Sequence, residues 1–182
     1  MCGSFCTFDP ALEALARIKT KYHDITPVMS ETAYTTDTRF GAAAHFAGRM
    51  ESICEKPIIH TITGAEPFGP GALLDILVVA PCTGNTISKM AYGITDSSVT
   101  MAAKAHVRNN RPVLIAISTN DALTGSAPAL GMLLNRKNVW FVPFYQDDPV
   151  KKPASLVADF DLLEPAIGAA LEGRQLQPLL RG

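Results

Sequence analysis

Leu74-Asp75-Ile76-Leu77-Val78-Val79-Ala80-Pro81-Cys82-Thr83-Gly84-Asn85-Thr86-Ile87-Ser88-Lys89 is the stretch that decides the fold. Residues 74–80 are branched and apolar on both faces, the pattern of a strand buried within a sheet rather than half exposed. Small and polar residues then break the run, and a helix is expected over residues 87–92. A strand that passes through a small-residue turn into a helix is the repeating unit of an open α/β sheet.

The same alternation extends in both directions. Further buried strands are expected at residues 58–63, 113–118 and 139–143, with helices at 97–109, 129–134 and 163–171, the last closed by Gly173. Upstream, Asp9 and Pro10 read as the cap and first turn of a helix over residues 10–21. Residues 25–29 form a short strand in which Pro27, lacking an N–H, suits an edge or a strand end. An alanine-rich helix with Phe46, Met50 and Ile53 on one face runs to about residue 55, where Pro57 stops it. The expectation is an α/β, three-layer, doubly wound parallel sheet of Rossmann-like or flavodoxin-like type. One domain covers 1–182, with 174–182 as a C-terminal arm on the surface or on a partner subunit.

The start departs from this pattern. Gly3 and Ser4, just ahead of the first helix, resemble the turn after a first strand, where helix-terminal amides hold a phosphate, yet the strand itself is missing. Its loss from the sheet centre leaves two neighbours with unpaired backbone, so the natural start is expected upstream of Met1, or the chain is a shortened version.

An apolar content of 47% over 182 residues suffices for one sizeable core. The 16 Lys plus Arg nearly balance the 17 Asp plus Glu, so no field exists to draw in nucleic acid or an anionic membrane. The longest apolar runs, residues 73–80 and 113–117, fall far short of a bilayer, and no basic region followed by an apolar one opens the chain; it reads as cytoplasmic. Cys2, Cys6, Cys54 and Cys82 form no CxxC pair, and none of His23, His45, His60 and His106 has a second ligand at a telling spacing, so reduced thiols and no metal site are expected.

Ligands of open α/β sheets bind at the carboxyl ends of the strands, which directs attention to the loops at residues 3–8, 30–39, 64–71, 81–89, 119–125 and 146–152. Pro81, Thr83, Gly84, Asn85, Thr86 and Lys89 let a planar heterocycle approach the backbone while its polar edge is hydrogen-bonded; an ordinary polar turn with a helix cap fits the composition equally well. Arg39 follows a hydroxyl-rich loop and either clamps a carboxylate or lies on the surface paired to Asp37. Glu66, between glycine and proline turns, is either a partly desolvated general base or a solvated cap. Asp147 and Asp148 read best as local ion-pair partners of Lys151 and Lys152.

The order Pro81-Cys82-Thr83-Gly84-Asn85-Thr86-Ile87-Ser88-Lys89, followed by Ala91, Gly93 and Asp96, resembles the signature of the flavoprotein-domain family that includes homo-oligomeric flavin-containing cysteine decarboxylases, with Gly84 where alanine is usual. Residues 34–41, 64–70, 117–121 and 144–153 resemble more narrowly the B subunits of dipicolinate synthase within that family. The resemblance implies a bound FMN, with Gly3, Ser4, Ser30 and Thr32 near its phosphate, Asn85 and Thr86 near its ring, and Asn120 as a retained polar contact. It implies catalysis by a sporulation enzyme in the mother cell of a sporulating bacterium, in which an A subunit carries NADP(H) and a dihydrodipicolinate-type intermediate is oxidised to dipicolinate. On that reading Arg39 and Glu66 would serve the small dicarboxylate substrate. It further implies a homo-oligomer, a trimer or a multiple of it. The alternative is a non-redox regulatory or structural partner of the A subunit with a vestigial flavin pocket. The region holding the decarboxylases' histidine carries residues 66–71 here, and their Pro-x-Met-Asn clamp appears as Ser118-Thr119-Asn120, which argues against decarboxylation of a cysteine-containing substrate.

Overall fold

The structure, a computed structural model, describes residues 1–71 and 73–181. Helices α1 (Phe8–Lys19), α2 (Glu31–Thr35), α3 (Ala43–Cys54) and α4 (Ile62–Ala65) precede strand β1 (Leu77–Cys82). Helices α5 (Gly84–Tyr92) and α6 (Ser98–Arg108) lead to β2 (Val113–Thr119). After it come α7 (Ala127–Leu134), β3 (Val139–Phe141), β4 (Phe144–Tyr145), β5 (Leu156–Ala158) and α8 (Leu163–Leu171).

Strands β1, β2 and β3 are parallel, with Val79 opposite Ile115 and Ile115 opposite Phe141. The pleat of β2 explains why its sequence is apolar throughout. Val113, Ile115 and Ile117 enter one core with Ile87 of α5, Val99 of α6 and Leu133 of α7. Leu114 and Ala116 enter the opposite core with Ala14 and Ile18 of α1 and Leu163 and Ile167 of α8. A third cluster seats Phe8 and Leu12 of α1 on Phe46 and Met50 of α3. Helices therefore cover both faces, giving the three layers expected from the alternation.

Several elements depart from the sequence reading. The strand expected at 58–63 is reduced to one parallel bridge, Val28 to Ile59, because Thr61 accepts the Gly64 N–H at 3.1 Å and caps α4. Pro27 and Met29 complete that bridge: Ile59 N–H donates to the Pro27 carbonyl and Met29 N–H to the Ile59 carbonyl, both at 3.0 Å. Asp9 is not the cap of α1, which starts at Phe8; Asp9 lies in the first turn and pairs with Arg49 of α3. Thr83 accepts the Thr86 N–H and starts α5 at Gly84, ahead of the expected position. The third parallel strand ends at Phe141, and the sheet is mostly rather than wholly parallel: β5 pairs antiparallel with β4 and with Ser118–Thr119 at the end of β2. The arm folds back on its own chain, with Phe144 N–H on the Leu179 carbonyl and Gln175 bonding both backbone groups of Phe141. Gly182, the last residue of that arm, lies outside the described residues.

Met1 and Cys2 occupy the sheet centre. The Met1 amino group donates to the Val28 carbonyl at 2.7 Å, Ser30 N–H donates to the Met1 carbonyl at 3.0 Å, and Cys2 N–H donates to the Pro81 carbonyl at 3.1 Å. These bonds are a parallel ladder joining the Val28 row to β1. On the amino-terminal side of Met1 the rows part around a cavity of about 440 Å³, lined by residues 24–26 and 73–80, by Leu12 and Leu15 of α1, by Ala102 of α6 and by Ile167 of α8.

Candidate functional site

The carboxyl ends of the Val28 row, of Met1–Cys2, of β1 and of β2 meet at one edge of the sheet. There Ser4 and Ser118 share a hydrogen bond at 2.8 Å, Thr7 and Ser118 share one at 3.0 Å, and Thr7 donates to the Ser4 carbonyl at 2.9 Å. Three hydroxyls thus cluster ahead of the amino end of α1, the donor set that suits an anion. Gly3 lies beside them; a Cβ there would meet the Phe5 ring at 3.4 Å and the Thr32 methyl at 3.8 Å, so the turn packs against the start of α2. Ser30 caps α2, accepting the Ala33 N–H at 3.2 Å.

Across the edge, the Pro81 carbonyl is held by Cys2, and Thr83 donates to the Thr86 hydroxyl at 3.1 Å while capping α5. Thr86 is buried, whereas Asn85 on the first turn of α5 is exposed, and so is Asn120 just past β2. Burial holds the Cys82 thiol well above the ordinary range, and its hydrogen bond to Cys2 adds to this. Gly84 is packed so tightly that a Cβ would fall 2.4 Å from Ser126 Oγ, 2.5 Å from Asp121 Oδ1 and 2.8 Å from Thr119 Oγ1.

Gly3, Ser4, Ser30, Thr32, Pro81, Thr83, Gly84, Asn85, Thr86 and Asn120 therefore gather on one edge. Lys89 is engaged elsewhere: its Nζ bonds Asp96 at 2.8 Å and holds that carboxyl below its usual range. Arg39 lies in the tight Thr38–Gly41 turn with its guanidinium 4.9 Å from the Phe40 ring centroid. Asp37, the alternative partner for Arg39, instead accepts the Ala43 N–H at 2.8 Å and tethers the start of α3. Glu66 is separated from the edge. It opens a 3₁₀ turn, Glu66–Phe68, and the next residue, Gly69, accepts from Asn109 Nδ2 at 2.7 Å. Asn109 follows α6 just before β2 begins, so this turn descends toward the amino end of the sheet. The expectation that the 64–71 loop, and Glu66 in it, lies at the carboxyl ends of the strands needs a strand over 58–63; with α4 starting at Ile62, the chain has already turned down. Asp147 does hold its loop, accepting from Lys152 at 2.8 Å and also from Ser155, and the lysine ammonium first, then the serine, keep its carboxyl low.

Thr7 was not singled out by the sequence, Ser118 entered only as the counterpart of a clamp residue, and Asp121 only as the end of the 117–121 segment. The contacts of Ser118 with Ser4 and Thr7, far apart in the chain, are what join the first two into one cluster.

A parallel strand edge bearing a hydroxyl cluster and a small-residue loop is the arrangement of a doubly wound α/β fold, and the chain belongs to the Flavoprotein family, whose model matches residues 6–143. Within that family it is 45% identical over 180 residues to the dipicolinate synthase B subunit of Bacillus subtilis (strain 168), covering 99% of this chain and 90% of that one. The crystal structure of the corresponding B subunit from Bacillus halodurans C superimposes with a TM-score of 0.88 at 44% identity, covering 99% of this chain and 92% of that one. An FMN-dependent cysteine decarboxylase, SpaF, shares the fold with a TM-score of 0.70 at 20% identity, covering 94% and 91% of the two chains. Among the described residues no helix is long and apolar enough to cross a membrane.

Proposed function

We propose that this chain is the flavin-bearing B subunit of a dipicolinate synthase, working with an A subunit that carries NADP(H) to oxidise a dihydrodipicolinate-type intermediate to dipicolinate in the mother cell during sporulation. The observation that carries the reading is the near full-length similarity to dipicolinate synthase B subunits together with the gathering of Gly3, Ser4, Ser118, Asn85 and Asn120 at one strand edge. The residues present fit FMN. Ser4, Thr7, Ser118 and the amino end of α1 would hold the phosphate; Gly3 keeps that turn low against Thr32. Pro81, Thr83, Gly84, Asn85 and Thr86 would take the ring, with the exposed Asn85 amide supplying a donor and an acceptor. Bound there, the flavin would supply two-electron transfer. Of the two residues assigned to the substrate, Arg39 would act as a carboxylate clamp from its exposed turn, while Glu66 is remote from the ring loop. The domain acts as one unit in a homo-oligomer, a trimer or a multiple of it.

Titration of FMN with the purified chain, followed by fluorescence quenching, tests this. Saturable quenching is expected, and Asn85→Ala should weaken binding about tenfold, the size of one lost hydrogen bond in a desolvated site. Mixed with the A subunit, the chain should support dipicolinate formation. Activity restored by a chain that never quenches FMN would replace the flavin reading with that of a non-redox partner.

A further inference from the structure

The packing around Gly84 does more than tighten a turn. Asp121 Oδ1 accepts from Thr119 Oγ1 at 2.6 Å and Oδ2 accepts from Ser126 Oγ at 2.9 Å, while its carbonyl receives the N–H groups of Thr124 and Ser126 at 3.1 and 3.0 Å. Both the side chain and the backbone of Asp121 are thereby immobilised. The carboxylate occupies the space in which any side chain at 84 would sit, since a Cβ there would fall 2.5 Å from Oδ1. Glycine at 84 is thus what allows a fixed negative charge at the first turn of α5, one residue from Asn85. The residue as a whole remains exposed, so the carboxylate is not sealed in by Thr119 and Ser126.

The strand pleat separates this charge from the hydroxyl cluster. Ser118 and Thr119 are consecutive on β2 and point to opposite faces, Ser118 to Ser4 and Thr7, Thr119 to Gly84 and Asp121. An anionic group is favoured on the Ser118 side and repelled on the Asp121 side. A carboxylate accepts hydrogen bonds and donates none. It therefore selects ligand edges that present an N–H. The heteroatoms along the polar edge of an oxidised isoalloxazine ring are acceptors save one, the imide N–H. We propose that Asp121 is a specificity-determining residue of this pocket, accepting the imide N–H of the bound flavin, and that Gly84 is the glycine that admits it. The proposal rests on the flavin reading above and adds to it the orientation of the ring.

The test compares two probes on the full chain, FMN and its N3-methyl derivative, which lacks that donor. A charge-assisted hydrogen bond corresponds to a preference of roughly tenfold or more for FMN. In Asp121→Ala the two probes should bind within about twofold of each other; Gly84→Ala, which displaces the carboxylate, should erode the preference in the same direction. If Asp121→Ala melts below the assay temperature, Asp121→Asn carries the comparison and should lose most of the preference. Equal binding of both probes by the unmodified chain, or an undiminished preference in the Asp121 variants, overturns the assignment while leaving the flavin reading intact. Binding of neither probe overturns both.

Discussion

A chain carrying about five alternating valine and isoleucine residues ahead of Met1 is expected to melt roughly 6–12 °C above the unextended chain. The ladder that would guide such a strand already exists at its far end: Met1 bonds Val28 and Ser30 on one side, and Cys2 bonds Pro81 on the other. The 440 Å³ slot behind Met1 is walled by both rows and by helices from both layers, including Leu12, Leu15, Val78, Ala102 and Ile167. A strand laid there buries its own side chains and also the walls, which are ordered already. Ordering the added backbone costs roughly 1–2 kcal/mol per residue. Burial at about 25 cal/mol per Å² on both surfaces exceeds that, and about 3 kcal/mol is the expected net scale. The extension also converts the Met1 ammonium, whose pKa burial lowers from the ordinary α-amino value, into a neutral amide. The control is a serine and asparagine extension of equal length. A melting temperature unchanged by the apolar extension, or raised equally by the polar one, shows that the slot does not accept a strand.

The elements that sequence placed well are those with a long periodic signal. The apolar run of β2 is continuous because helices cover both of its faces, while α3 is stopped ahead of Pro57, α6 opens at Ser97, whose side chain caps it, and α8 is closed by Gly173 (φ 73°). Strands of two or three residues such as β4 and β5 have no room for a period, so the antiparallel end of the sheet was illegible. The Thr61–Gly64 cap was legible in principle but was outweighed by the branched residues around it. That single misreading carried Glu66 into the wrong end of the molecule. The candidate site was legible as far as the rule about strand ends reaches. The placement of the Asp121 carboxylate was not, because it depends on a missing Cβ at residue 84, which becomes a neighbour only after β1 and β2 have paired.

The fold should also lose stability in mild acid through one residue. His106 on α6 is 2% exposed, and its Nε2 is buried without a hydrogen-bond partner among the described residues. Desolvation first, and the Arg111 guanidinium second, lower its pKa to about 4, against a weaker pull from Asp75 in the other direction. The unfolded chain, with an ordinary imidazole near 6.5, takes up a proton that the folded chain refuses. Stability from this group is therefore fully present above about pH 6.5, falls as the pH drops toward about 4, and levels off below that. The whole effect is on the order of 3 kcal/mol, of which about 2 kcal/mol is lost between pH 7 and pH 5. Urea unfolding of the unmodified chain and of His106→Leu at those two pH values isolates it, since the carboxylates are common to both proteins. The unmodified chain should lose about 2 kcal/mol more than the variant over the interval. Parallel losses in the two proteins would mean that the imidazole titrates near its ordinary value and that the α6 face is wetter than its packing against the sheet indicates.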